Sequence, residues 1–309
     1  MNPALSVIVF TTLSGAGYGL LGLLGVMAAA GDVPRDGTFG FIALGFAILL
    51  VTIGLLSSTL HLKHPERAWR AFSQWRSSWL SREGILSVAT YLPFALFAYG
   101  WVILEDVTGW FAVAALLTSA LAALTVASTA MIYASLRSIR HWHHALVLPI
   151  YLAFAFQLGA LWLAALLSLH GQDHFGLLGH ALIATCGVWG LKSYYWKDIE
   201  STKIGSTLES ATGLKGNIKA FDPPHTEENY LLKEMGYEIA RRHAQKLRRI
   251  AVLLGLAAPL FFLACAWLLT GPAEIGCLIL GALAATAGAL TERWLFFAEA
   301  KHSMTVYYG

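Results

Sequence analysis

The chain has 309 residues, 57% of them hydrophobic and 13% charged, with a formal net charge of +3 and a mean hydropathy of +0.62. A soluble domain carries about 25% charged residues, so this composition cannot supply a water-facing surface and the apolar excess must face lipid. Cys186, Cys265 and Cys277 all fall in apolar stretches without C-x-x-C spacing. Iron–sulfur clusters need sets of cysteine thiolates, so the chain ligates none.

Apolar runs of about twenty residues, the length a helix needs to cross the hydrocarbon core, recur along the chain. They predict spans near 5–30, 39–60, 84–104, 109–135, 145–169, 176–196, 249–270 and 275–298. No Lys or Arg precedes Arg35, so the first run lacks the basic leader of a cleavable signal and is expected to stay as a span. Helices are the expected solution because lipid leaves no partner for an unpaired backbone group. The predicted fold class is therefore all-α: a polytopic membrane helix bundle with eight transmembrane helices. Residues 1–309 form one integral membrane domain, with short loops except a long one between the sixth and seventh helices.

Basic residues sort by loop. Lys63, Arg67, Arg70, Arg76 and Arg82 follow the second helix, and Arg137 and Arg140 the fourth. Eleven Lys and Arg run from Lys192 to Arg249, and Arg293 and Lys301 close the chain, against Arg35 alone on the other side. Basic residues stay cytoplasmic, which places both termini and the long loop in the cytoplasm. The loop, 197–248, has a glycine-rich stretch (Gly205, Gly213, Gly216) and then Phe221-Asp222-Pro223-Pro224. Thr226, Glu227 and Glu228 read as a helix start. Leu231, Met235, Ile239, His243 and Leu247 then form a four-residue stripe. Such a helix either lies on lipid headgroups through Arg241, Arg242, Lys246, Arg248 and Arg249, or docks a cytoplasmic partner protein.

The densest polar constellation flanks the loop between the second and third helices. His61-Leu62-Lys63-His64-Pro65-Glu66-Arg67-Ala68-Trp69-Arg70 opens it, and Trp79-Leu80-Ser81-Arg82-Glu83 closes it. A tight return would bring His61 and Glu83 together at the membrane boundary. Quinone chemistry moves two protons with two electrons, and a histidine beside a partly desolvated carboxylate suits that work. The alternative is anchoring, with Trp, Arg and His in headgroups and Glu83 paired to Arg82 or Arg67. Pro65 and the aromatics Trp69, Phe72, Trp75 and Trp79 predict an ordered loop on the interface.

Haem b is a further possibility, since haem iron takes axial histidines from membrane helices. The candidates are His61, His143 and His180, though no two deep histidines fall at matching depth. Glu292 and Arg293 lie inside the last span, where charge is expensive unless paired. Being adjacent, they project about 100° apart, so their partners are expected on other helices. Gly15, Gly17, Gly19, Gly22 and Gly25 give the first helix a surface for close packing or for an isoprenoid tail. A transporter using Glu292 and Arg293 is the rival from another class, but inverted repeats and broken helices are absent from the sequence.

The runs His61-Leu62-x-x-Pro65-x-Arg67-Ala68, Ser78-Trp79-Leu80-Ser81-Arg82-Glu83 and Phe221-Asp222-Pro223-Pro224-His225-Thr226-Glu227 resemble the dimethyl sulfoxide reductase anchor-subunit family. That family includes the membrane subunit of a cytoplasmic sulfite dehydrogenase. The resemblance implies a complex of three subunits: a molybdopterin catalytic subunit, an iron–sulfur subunit, and this chain anchoring both and exchanging electrons with quinone (ubiquinone or menaquinone). It implies quinone-binding roles for His61 and Glu83, and for Arg67 in the same motif, with Arg70, Ser81 and Arg82 in the surrounding constellation. Lys63 stands where family members often have glycine, a departure at the headgroup end of the site. Partners docked on the cytoplasmic side fit sulfite oxidation better than an exported reductase oxidising quinol. No nucleic-acid partner is expected.

Overall fold

In the computed structural model, residues 4–60, 62, 64–201, 207–216, 218–219, 221–222 and 239–308 are described. The spans are α1 (Leu5–Ala30), α2 (Gly37–Thr59), α3 (Trp79–Ala98), α4 (Gly109–Ala134), α5 (Val147–Leu169) and α6 (Phe175–Ser201). α7 combines Ile239–Val252, a π-turn at Leu253–Ala257 and Ala258–Leu268, and α8 is Pro272–Ala298. Among the described residues eight helices are thus long and apolar enough to cross a membrane, and no strand occurs.

Each end has a local cause. α1 stops at Gly31, whose φ of 81° lets its N–H reach the Met27 and Ala28 carbonyls, a left-handed cap that glycine adopts without Cβ strain. The Asp36 carboxylate caps α2 by accepting from the Thr38 and Phe39 N–H groups. Pro93 lies inside α3 and donates no N–H; the helix continues past it into a π-turn at Tyr99–Ile103.

Buried shares define the centre. In α5 78% of the apolar window is enclosed and in α1 61%, against 28–39% in the others, so α1 and α5 are the hub and the rest present flanks to lipid. Small residues allow this. A Cβ on Gly19 would overlap the Ala155 carbonyl, and one on Gly159 would overlap the Gly19 backbone. Gly17 faces α2, where a Cβ would stand 2.7 Å from the Ala47 oxygen, and Gly25 faces Ala115 and Ser119 of α4. A Cβ on Gly15 or Gly22 would meet nothing within 4 Å. Gly19→Leu is accordingly expected to prise α1 from α5 at a cost of about 1–3 kcal/mol or more, read as a lower Tm in detergent. Gly15→Leu should leave the Tm near that of the parent.

Three boundaries differ from expectation by more than about one turn. α3 begins at Trp79 rather than 84, α6 runs to Ser201 rather than 196, and α7 is helical from Ile239 rather than 249. Apolar-run length reports the hydrocarbon slab, and all three helices continue past it with polar residues. α3 gains a cap from Ser78. Of the segment 197–248, residues 197–201 continue α6, Leu208–Thr212 form one turn, and the part from Ile239 continues into α7. The predicted start at Thr226 and the stripe residues Leu231 and Met235 lie outside the described residues.

Candidate functional site

The loop after α2 folds as a 3₁₀ helix, Pro65–Gln74, with Pro65 in its first turn. Ten residues is long for this geometry, and contacts from the start of α3 hold it. The Ser81 hydroxyl donates to the Ala71 carbonyl. Arg82 donates to the Trp75 carbonyl at 2.9 Å and the Arg76 carbonyl at 2.8 Å, with its guanidinium 4.2 Å from the Trp79 ring centroid. Phe72 rests on Gly84, where a Cβ would stand 3.2 Å from its ring. Trp69, Phe72 and Trp75 of this loop are exposed.

The predicted site residues thereby separate. Ser81 and Arg82 are engaged with loop carbonyls. Arg67 lies exposed, 3.7 Å from Glu66, and Arg70 sits beside Trp69. His61 and Lys63 lie outside the described residues. Glu83 alone of the described set turns its carboxyl into the bundle, at 5% exposure.

Because α3 starts at Trp79, Glu83 is inside the helix and faces α4. Its Oε1 contacts the Thr129 hydroxyl, which also lies 3.1 Å from the Thr125 carbonyl. A hydroxyl has one proton and cannot serve two acceptors fully. Both contacts are satisfied when the carboxyl carries a proton, donating to Thr129 while Thr129 donates to Thr125. Among the described residues no cation lies within ion-pair distance of Glu83, so neither Arg82 nor Arg67 neutralises it.

Other polar groups converge on this seam. The Tyr91 hydroxyl of α3 is 2.8 Å from that of Thr52 in α2. The Tyr18 hydroxyl of α1 is buried with no well-formed hydrogen bond among the described residues, and it lies within electrostatic reach of Glu83 and Tyr91. Thr125 lies beside it, with its own hydroxyl proton committed to the Leu121 carbonyl. Neither Tyr18 nor Thr129 stands out in sequence, where each is one polar group in an apolar run. From Tyr18 a groove of about 430 Å³ runs between α1, α4 and α5.

A second buried cluster corrects two expectations. Lys192, which the sequence groups with the long basic loop, lies inside α6 at 1% exposure. Its Nζ is 2.5 Å from Glu292 Oε1, and it faces the rings of Tyr195, Trp196 and Phe296. Arg293 does meet its neighbour Glu292, Nη1 to Oε2 at 3.1 Å, because its long side chain curls back while lying 3.6 Å from the Tyr151 centroid. Backbone projection alone does not fix where so long a side chain ends.

The haem candidates His143 and His180 make local contacts. His143 contacts the Ala134 carbonyl through Nδ1, and His180 the Gly176 carbonyl. They lie at opposite ends of the bundle and are not brought together. Burial first, then Lys301 and Arg248, push the His141 imidazole down to about 4, so it is neutral at pH 7. Arg248 joins α7 to Glu299 at 3.0 Å and to Glu200 at the end of α6. The basic face is thus cross-braced by charge.

The family described as DMSO reductase anchor subunit (DmsC) matches residues 1–299. Among curated proteins, a sulfite dehydrogenase subunit from Allochromatium vinosum is 33% identical over 335 aligned positions, covering 100% of this chain and 99% of the relative. No solved structure matches.

Proposed function

The chain belongs to the DMSO reductase anchor subunit (DmsC) family, and from that premise we propose that it is the quinone-reactive membrane anchor of a molybdopterin and iron–sulfur oxidoreductase. The likeness to a sulfite dehydrogenase subunit favours sulfite oxidation, with electrons leaving to the quinone pool. The family description equally fits a reductase running in the other direction, oxidising quinol. The partners dock on the basic face, which the positive-inside rule makes cytoplasmic.

The observation that carries this reading is Glu83: a carboxyl turned into the bundle about one turn from the basic face, bound to a hydroxyl and, among the described residues, to no cation. Reducing a quinone consumes two electrons and two protons, the electrons coming from the docked iron–sulfur subunit. Protonated Glu83 can turn its proton from Thr129 to a quinone oxygen and transfer it there, and the Thr129 hydroxyl then donates to the carboxylate left behind. Reprotonation comes from the basic side, where the loop 65–74 covers the helix start. Arg67 and Arg70, exposed on that loop, hold it to anionic headgroups or to the partner protein.

The test is purification of the tagged chain in mild detergent from its native host. Co-eluting molybdopterin and iron–sulfur subunits, with sulfite-dependent reduction of added quinone, are expected. A chain eluting without redox partners would overturn the proposal.

A further inference from the structure

We propose that the groove between α1, α4 and α5 is the channel for the isoprenoid tail of the quinone, with Tyr18 as the positioning residue where the headgroup enters. This rests on the quinone reading above and adds the route, the depth and a second contact.

The groove is chemically one-sided. Ser119 lies toward the membrane middle, and its hydroxyl is already engaged, 2.8 Å from the Gly22 carbonyl and 3.0 Å from that of Ala115. Gly19, Gly22, Ala122, Ala123 and Leu152 contribute smooth apolar wall. The Tyr18 hydroxyl lies at the other end, on a side chain only 3% exposed, with Thr125 beside it but no hydrogen bond of good geometry. A buried donor left without a good acceptor is destabilising, and a quinone carbonyl or quinol hydroxyl would complete it.

Direction agrees with this polarity. Helical side chains tilt toward the helix N-terminus, so Tyr18 leans toward the basic face, where Glu83 approaches from α3. The groove runs the other way, past Gly22, to an opening at Val26 and Phe156, which are 51% and 39% exposed. A headgroup between Tyr18 and Glu83 would therefore sit in the basic-side half of the span and lay its tail across the middle of the bundle toward Val26, near the other end of α1. Gly22 has open space where a Cβ would go, so the room there is unused by packing. A volume of about 430 Å³ lies in the range of small-molecule sites.

The experiment uses the purified complex and two quinones with the same headgroup, one carrying a long isoprenoid tail and one without a tail. Gly22→Leu and, independently, Ala123→Leu fill the groove. Each is expected to raise KM for the tailed quinone about tenfold while leaving the tail-less one within about twofold, at unchanged Tm, since filling a site excludes its ligand. Tyr18→Phe should raise KM for both quinones about tenfold, the loss of one hydrogen bond, with kcat held. Equal effects of the groove variants on both quinones, or none on either, would overturn the channel, as expected if a structural lipid fills it. An unchanged KM in Tyr18→Phe would remove Tyr18 from the site. Glu83→Gln separates the two levels: if it alone abolishes turnover, the quinone reading stands and the channel falls. If it too is without effect, the quinone reading itself fails.

Discussion

Glu83→Gln is expected to lower quinone-dependent turnover by about 10²-fold or more, the contribution of a positioned general acid–base group, without unfolding the chain. Glutamine keeps the volume of glutamate, and its amide can donate to or accept from Thr129, so the α3–α4 contact at 5% exposure survives. What is lost is the exchangeable proton. The effect should fall on kcat as well as kcat/KM, because the group acts on the reacting oxygen. Arg67→Gln, on an exposed side chain paired only loosely to Glu66, should change turnover by much less. Steady-state quinone reduction, with Tm as the control, decides the matter. Full activity in Glu83→Gln would assign the carboxyl a packing role and leave the anchor without its proton donor.

The same carboxyl marks how far the sequence is legible. Run length alone finds all eight spans, because crossing a slab of hydrocarbon imposes a length that composition cannot hide. It misplaces the start of α3, since Trp79, Arg82 and Glu83 are helical yet polar, and hydropathy sees lipid rather than hydrogen bonds. Glu83 is therefore visible as a residue at the edge of a loop, while its inward orientation and its Thr129 partner are not. Thr129 and Tyr18 look like ordinary polar members of apolar helices. Their role depends on which helices meet, and α1 crossing α5 through Gly19 and Gly159 is a long-range pairing with no local signature. The glycines of α1 announce close packing without naming the partner, and at two of them, Gly15 and Gly22, an added Cβ would meet no neighbour.

Lys192 is the clearest case of a residue read by its neighbours. It begins a run of basic residues in sequence and is enclosed in the bundle, so its energetic consequences are the reverse of a loop lysine's. The buried cluster holds two cations, Lys192 and Arg293, around one anion, Glu292. Removing the anion should thus be worse than removing either cation. Glu292→Leu leaves two unpaired positive charges in a low-dielectric interior, a loss of about 3–5 kcal/mol for the broken pair. Lys192 can relieve part of this by releasing its proton; Arg293 cannot, because a guanidinium stays charged in proteins. Lys192→Met instead leaves the Glu292–Arg293 contact intact and places an apolar chain of similar length among Tyr195, Trp196 and Phe296. Thermal unfolding in detergent should accordingly rank Glu292→Leu far below Lys192→Met. The reverse order would mean that Lys192, rather than Arg293, balances the carboxylate. Equal losses would mean that all three charges act as one inseparable unit.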